Sequence, residues 1–242
     1  MTYFTGFPKV QYTFDDELVF TTNLTAYAEV LDSVRISSSF YQDYHIMNDE
    51  RPDHVAMKFY NDPQLHWVMY LMNPKLREQG WPLSQLELTA KVQKDHPNTV
   101  LVIHDDSITS LLSVGQVIKG SDSEAVGTIL HKNLDLGQVT VETDGTFVAG
   151  EMLIDIENTT APYTEFVIYE TVAEHLAAHH YTLNGERIDV NPYQPVTFTG
   201  IVKVTINDFY FENNDSLKQI RVIKPNSINS VVSAFNQAIR SQ

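Results

Sequence analysis

His175 and His179 are candidate zinc ligands, because two histidines four residues apart can bind zinc from one face of a helix. The zinc-protease pattern also places a glutamate directly after the first histidine, and this sequence has Leu176 there. A helix end, where imidazoles interact well with the helix dipole, is the better interpretation. We therefore predict a short helix over 173–180 and no metal site.

Two pairs of acids, Asp105-Asp106 and Asp122-x-Glu124, are the carboxylates that a hydrolase could use. General acid–base catalysis needs two carboxyl groups that converge and whose pKa values are driven apart. Adjacent residues of a strand point to opposite faces, so solvated turns explain these acids better. The sequence also lacks a nucleophile-elbow, phosphate-loop or dinucleotide motif. With no cysteine it has no thiol chemistry. We predict a protein that is not an enzyme, with no catalytic or cofactor-binding residues.

The charge of the chain limits its partners. It has 16 basic and 31 acidic side chains, for a formal net charge of -15. Nucleic acids and anionic membranes require basic surfaces, so we expect neither as a partner. No apolar run approaches the roughly 20 residues that span a bilayer. The N-terminus has no signal-peptide pattern, so we expect the protein to stay in the compartment where it is made.

Helix signals are concentrated between residues 41 and 98. Tyr44-His45-Ile46 is typical of a strand, and Pro52 follows an acidic cap that opens a helix. Asp62-Pro63 opens a second helix, which Asn73-Pro74 ends. A third helix is predicted after Pro82.

The pattern changes to short apolar runs separated by glycines over residues 99–160. Strands of this length and spacing predict a small antiparallel barrel or sandwich. Asp144-Gly145 and, further on, Asn184-Gly185 are hairpin-turn signals. The remaining chain is predicted to hold a strand over 217–223 and a final amphipathic helix. The apolar residues of that helix follow helical spacing, at Ile228, Val231, Val232, Phe235 and Ile239.

These patterns predict an α+β protein in four parts. The parts are an N-terminal arm (1–40), a helical unit (41–98), a β-rich insertion (99–160) and a C-terminal α/β tail with a terminal helix (161–242).

Aromatic residues of the arm and the helices, with the apolar face of the last helix, are the candidate partner contacts. Aromatic residues on helices usually pack in a core, but Trp and Tyr are also enriched at interfaces, and both interpretations stay open. The candidate contact residues are Tyr3, Phe4, Phe7, Trp67, Tyr70, Trp81, Ile228, Val232 and Phe235.

Several motifs resemble a known module. Tyr44-His45-Ile46, Asp49-x-x-Pro52, Phe59-Tyr60-Asn61-Asp62-Pro63, Leu65-x-Trp67 and Asn73-Pro74 resemble the LysM module of contractile-phage tail proteins. That resemblance implies a LysM-like strand-helix-helix-strand unit.

Both ends of the chain resemble one family. Residues 217–223 with Phe235 are similar to the end of the T-even baseplate wedge protein 53, and Tyr3-Phe4 with residues 7–12 to the start of its relatives. The β-rich segment near 100–160 has no counterpart in the T-even protein.

The family resemblance implies a late structural protein of the virion. The expected role is a subunit of a contractile-tail baseplate wedge that joins neighbouring wedges around the central hub, assembled in the host cytoplasm. Expected partners are other wedge proteins and copies of itself in adjacent wedges, with hub or sheath proteins as further candidates. The alternatives are a LysM-type peptidoglycan-binding protein and a tail-associated cell-wall hydrolase.

Overall fold

The computed structural model of the chain describes residues 3–15, 17–23, 37, 39–155 and 166–240. The predicted α+β class is confirmed, because helices and antiparallel sheets are both present. The chain divides into two compact units, and one of them joins both ends of the chain. Unit 1 consists of Met1–Gln85 with Asn213–Gln242, and unit 2 of Leu86–Glu212. The four-part division stays a prediction.

The elements are numbered in chain order. The strands are β1 (Lys9–Phe14), β2 (Glu17–Thr22), β3 (Tyr41–His45), β4 (Thr99–Val102), β5 (Val117–Gly120), β6 (Val126–Asn133), β7 (Gln138–Thr143), β8 (Met152–Asp155), β9 (Phe166–Val167), β10 (Glu170–Ala173), β11 (Ala178–Leu183), β12 (Glu186–Ile188), β13 (Ile201–Thr205) and β14 (Gln219–Ile223). The α-helices are α1 (Pro52–Tyr60), α2 (Trp67–Met72), α3 (Pro74–Gln79), α4 (Gln85–Asp95), α5 (Ile108–Leu111), α6 (Ile206–Lys218) and α7 (Ile228–Arg240). In the described ranges, none of these helices has the length and apolarity needed to cross a membrane.

Proline and its polar neighbours set the helix boundaries of unit 1. Pro52 occupies the first turn of α1, and Asn61 ends that helix in the left-handed conformation. The Asp62 carboxylate accepts a hydrogen bond from the Gln64 N–H at 2.9 Å, which caps the 3₁₀ turn leading into α2. The predicted helix start at Pro52 is therefore confirmed, whereas Pro63 opens the 3₁₀ turn and α2 itself begins at Trp67. Pro74 ends α2 as predicted but also opens α3, which the sequence pattern missed.

Unit 1 is completed by the C-terminal part of the chain. β14 pairs antiparallel with β3, from Tyr41 opposite Ile223 to His45 opposite Gln219. Helix α7 then buries all five residues of its predicted apolar face. Its apolar side chains join those of α2 in one core. Burial of a large apolar side chain contributes roughly 1.5–3 kcal/mol, so α7 is a main source of the stability of unit 1.

Unit 2 contains a barrel of antiparallel strands. Its seven-stranded sheet has the order β10-β4-β7-β6-β5-β8-β9. Residues 168–169 join β9 to β10 and close this sheet on itself. The Ile168 N–H donates to the Glu151 carbonyl at 3.0 Å on one side, and the Tyr169 N–H donates to the Val102 carbonyl at 2.8 Å on the other. The two end strands of the sheet, β9 and β10, are thus consecutive parts of one segment, so the sheet curves round into a small barrel.

The barrel interior is apolar. Its buried residues are Leu101, Ile103, Ile108, Leu112, Ile118, Ala125, Ile129, Val139, Val141, Phe147, Leu153, Phe166 and Ile168. Of the two arrangements predicted, a small antiparallel barrel or a sandwich, the barrel is the one present. It extends beyond residue 160, because residues 166–173 link its end strands.

Only one of the two predicted hairpin turns joins paired strands. Asn184 and Gly185 have φ values of 55° and 86° and connect β11 to its partner β12, as predicted. The prediction at Asp144-Gly145 is wrong, because β7 and β8 are not partners. Both edges of β7 are already occupied, by β4 and β6.

Two other local predictions need correction. Residues 173–180 form a 3₁₀ turn at Glu174–Leu176 followed by β11, so the predicted helix is absent there. The predicted strand over 217–223 begins only at Gln219, because α6 continues to Lys218. Pairing of β11 with β12 and β13 decides the first case, since a strand between two partners satisfies its backbone better than an isolated helical turn.

A buried carboxylate stabilises one end of the barrel. Glu151 is 2% exposed and accepts hydrogen bonds from the Ser123 N–H at 2.8 Å, the Val148 N–H at 2.6 Å, the Ser123 hydroxyl at 2.8 Å and the Asp122 N–H at 3.1 Å. Burial opposes its ionisation, but these donors outweigh burial and lower the pKa of Glu151. A Cβ on Gly120 would lie 2.5 Å from this carboxylate, so the site also requires glycine there.

Glu151→Gln should therefore destabilise unit 2. The amide keeps one acceptor oxygen but points an NH₂ group at N–H donors, which leaves buried donors unpaired at about 1–3 kcal/mol each. We expect urea unfolding to show a loss of roughly 2–4 kcal/mol. Glu142→Gln, at an exposed position of β7, is the control and should change stability by less than about 0.5 kcal/mol. Equal stability of both variants would contradict the role assigned to Glu151.

Candidate partner-binding surfaces

Four aromatic rings meet in the core of unit 1. The Tyr3 ring lies 5.0 Å from Phe7 and 5.2 Å from Trp67, and the Trp67 ring lies 5.0 Å from Phe235, all between centroids. Phe7, Trp67 and Phe235 are buried, and Tyr3 is half-buried at the margin. The N-terminal turn, α2 and α7 are thus joined by aromatic packing.

Most of the predicted contact residues lie in this core or beside it. Ile228 and Val232 are buried on α7 among the same side chains. Phe4 belongs to the 3₁₀ turn at Tyr3–Gly6, and its side chain lies outside the described residues. In the isolated chain the buried side chains leave little surface for a partner. Their contact with one stays a prediction.

Tyr70 and Trp81 pack beside each other at the edge of a second cluster. Their ring centroids are 6.0 Å apart, and the Trp81 indole N–H donates to the Glu50 carbonyl at 2.7 Å. Burial raises the pKa of Tyr70. Both rings are half-buried, so each keeps some surface that a partner can contact.

Two residues of the LysM-resembling motifs bind the backbone of β14. The Asn73 side chain donates to the Arg221 carbonyl at 2.9 Å and accepts from the Arg221 N–H at 2.8 Å. The Tyr60 hydroxyl donates to the Ile223 carbonyl at 3.1 Å, and burial raises the pKa of Tyr60. The motif residues therefore fix the C-terminal strand in place.

The β1–β2 hairpin carries four large apolar side chains that are strongly exposed. Tyr12, Phe14, Leu18 and Phe20 are 62%, 72%, 64% and 65% exposed. Apolar and polar residues alternate along β1 in the sequence. Neither strand of the hairpin was among the predicted contacts. The sequence signal for β2 was a β-prone run separated from Phe14 by two residues, which is the length of a tight hairpin loop.

Unit 2 has an apolar cleft on its three-stranded sheet, which has the order β12-β11-β13. The cleft has a volume of about 390 Å³, and Phe198 at its rim is 79% exposed. Its apolar lining residues are Leu183, Ile188, Val190, Val196, Phe198 and Ile201.

The histidine pair considered for zinc binding does not share a helical face. His175 lies in the 3₁₀ turn and His179 in β11. The His179 ring stacks on Phe209 at 4.0 Å, and its Nδ1 lies 2.9 Å from Nδ1 of His180. Burial, followed by the neighbouring His180, lowers the pKa of His179. Within the described part of the chain, no three His or acidic residues are grouped to hold a metal ion.

The paired acids are used in turns. Asp105 accepts hydrogen bonds from the hydroxyl and N–H of Ser107, and these bonds lower its pKa. Glu124 lies 3.6 Å from the Lys119 amine in an exposed ion pair. This use agrees with the solvated turns proposed for these acids.

Comparison with known proteins adds one family. Residues 3–89 match its model, and they cover the turn, the hairpin and β3 through the motifs of α1–α3. That family is base plate wedge protein 53. The predicted resemblance to this wedge-protein family is confirmed over this part of the chain. No curated protein matches the chain.

The wedge-protein-53 match supports a structural role in a phage baseplate, in association with other baseplate proteins. It points to a virion component of the tail and away from an enzyme. The matched region ends close to the point where unit 2 begins, so the barrel lies almost wholly outside it.

Trp67 allows a direct test of the aromatic core. Its indole nitrogen is buried, and no residue that the structure describes accepts a hydrogen bond from it, so the ring contributes through packing. Trp67→Ala should destabilise unit 1 by about 3–5 kcal/mol in urea unfolding followed by circular dichroism.

Two variants serve as controls for this test. Trp67→Phe keeps an aromatic ring and removes the unpaired N–H, so it should lose less than half as much stability. Phe20→Ala removes an exposed ring and should change stability by no more than about 0.5 kcal/mol. A loss at Phe20 as large as that at Trp67 would contradict the assignment of Trp67 to the core and Phe20 to the surface.

Proposed function

We propose that this chain is a structural subunit of a contractile-tail baseplate wedge and that it joins neighbouring wedges around the central hub. The match of residues 3–89 to base plate wedge protein 53 carries this proposal. The matched residues build the part of unit 1 that contains the exposed hairpin. The proposed location is the baseplate of the virion, after assembly in the host cytoplasm.

The surfaces of the chain suit a protein that binds several neighbours. A ring made of repeating wedges requires contacts through different faces, because head-to-tail contacts use two distinct surfaces of each subunit. Unit 1 offers the exposed aromatic hairpin, and unit 2 offers the apolar cleft beside Phe198. Exposed apolar surfaces of this kind mark interaction sites.

The proposed partners are other wedge proteins and copies of this chain in adjacent wedges, with hub or sheath proteins as further candidates. The net charge of -15 disfavours nucleic acid and anionic membranes. It also keeps free copies apart by repulsion before they meet their neighbours in the wedge.

We also propose that unit 1 contains a LysM-like unit in which the second strand comes from the C-terminal part of the chain. β3, helices α1 and α2, and the β3 partner β14 supply the strand-helix-helix-strand set. In this proposal the barrel is an insertion between the helices and the second strand. The role of the unit is to hold wedge proteins together, and no catalytic step is assigned to it.

Quantitative mass spectrometry of purified virions tests the proposed function. We expect this chain at a fixed low copy number, equal to that of a known wedge component and retained in isolated baseplates. The tail-tube protein, present in many more copies, serves as the internal reference.

Absence of the chain from the particle would overturn the proposal. A cell-wall pull-down and a hydrolysis assay with the pure protein would then distinguish a peptidoglycan-binding protein from a cell-wall hydrolase.

A further inference from the structure

The β1–β2 hairpin is a sheet that ends at two strands. No third strand pairs with it anywhere in the described ranges. A lone two-stranded hairpin is marginally stable in water, and three or more strands are needed for an independently stable sheet. All six residues of β2 are exposed. The hairpin therefore presents backbone and side-chain groups that nothing in the described chain covers.

The hydrogen-bond register shows which backbone groups point outward. The Asn23 N–H donates to the Pro8 carbonyl at 2.8 Å, so this pair is hydrogen-bonded. Antiparallel pairs alternate between hydrogen-bonded and non-bonded, and residues of the non-bonded pairs direct N–H and C=O away from the partner strand. The outward residues are Lys9, Gln11 and Thr13 on β1, and Leu18, Phe20 and Thr22 on β2.

The two outer edges differ in how well they resist pairing. The outer edge of β1 carries Lys9, and the strand begins directly after Pro8. Lysine and proline both discourage the addition of another strand. Residues 18–22 of β2 contain no charge, proline or glycine and consist of apolar and β-branched types. The outer edge of β2 is therefore the one open to another strand.

The turn of the hairpin carries two acidic residues that favour a basic residue on a partner strand. Asp15 and Glu17 are exposed, and neither forms an ion pair with any described residue. A strand placed along β2 with a lysine or arginine at this end would pair with them. A second copy of this chain would bring the same acidic turn and another net charge of -15.

We propose that the outer edge of β2 pairs with an extended strand of a different, neighbouring baseplate protein. That strand has alternating apolar side chains and a basic residue beside Asp15 and Glu17. Main-chain hydrogen bonds to Leu18, Phe20 and Thr22 provide the pairing, and the exposed apolar side chains determine which strand fits. This inference rests on the proposed function, because it names how one of the wedge contacts forms.

Hydrogen exchange resolved to single amides tests the pairing. The amides of Leu18, Phe20 and Thr22 should exchange rapidly in the isolated chain and at least about tenfold more slowly in isolated baseplates. The amides of Lys9, Gln11 and Thr13 should stay fast in both. Fast exchange of the β2 amides in baseplates that contain the chain would overturn the inference.

Proline substitutions provide a matched pair, since Phe20 and Gln11 lie opposite each other and both point their N–H outward. Phe20→Pro should reduce incorporation of the chain into baseplates at least about tenfold, whereas Gln11→Pro should incorporate as the unaltered chain does. Phe20→Thr keeps the N–H and removes the ring, so it should fall between them. Circular dichroism of each purified variant confirms that the rest of the chain is folded.

The other outcomes are equally decisive. Normal incorporation of Phe20→Pro, or equal loss with Gln11→Pro, would contradict pairing through β2. A pure chain that dimerises in sedimentation experiments, and loses this on Phe20→Pro, would assign the edge to a second copy instead. Absence of the chain from baseplates would overturn the proposed function together with this inference, whereas presence with fast-exchanging β2 amides overturns the inference alone.

Discussion

The pairing of β3 with β14 is the interaction on which unit 1 depends, because it joins the family-matched region to the other end of the chain. Asn73 and Tyr60 bind the backbone of β14, and α7 places Phe235 against Trp67. Loop-closure entropy grows slowly with length, by about 0.6 kcal/mol per doubling. An inserted unit as large as 86–212 is therefore compatible with this pairing. The Asn214 amide further connects the two ends of unit 1, since it accepts from the Leu83 N–H at 2.8 Å and donates to its carbonyl at 3.0 Å.

The barrel of unit 2 and the hairpin of unit 1 differ in how their strands are paired. Residues 168–169 link the two end strands of the barrel of unit 2, and the barrel interior is apolar. The hairpin of unit 1 leaves β2 in solvent with no charged residue beyond Glu17, which proteins normally avoid because such edges associate. An exposed edge strand can pair with a strand of another protein, whereas a strand already paired on both sides cannot. This contrast supports assigning assembly to the hairpin.

The candidate surface was only partly predictable. Val10, Tyr12 and Phe14 alternate with polar residues in the sequence, as the residues of a strand do, and all three lie in β1. The predicted contact residues rested on residue type. Aromatic residues such as Trp67 and Phe235 occur both in cores and at interfaces, so type alone could not separate a core position from an interface position. Packing against Tyr3 and Phe7 places these rings in the core. The residues of β2 are exposed because no third strand among the described residues pairs with the hairpin.

The sequence by itself determined the structural features that depend only on residues close together in the chain. Local signals defined the start of α1, the 3₁₀ turn that leads into α2, the Asn184-Gly185 turn and the apolar face of α7, because capping, turn conformation and helical period act over a few residues. Tertiary structure decided the rest. The strands flanking Asp144-Gly145 separate because β4 occupies the second edge of β7, and residues 178–183 form a strand because two partners are present. Sheet edges are filled by residues distant in the chain, and a local pattern carries no information about which edge is already taken.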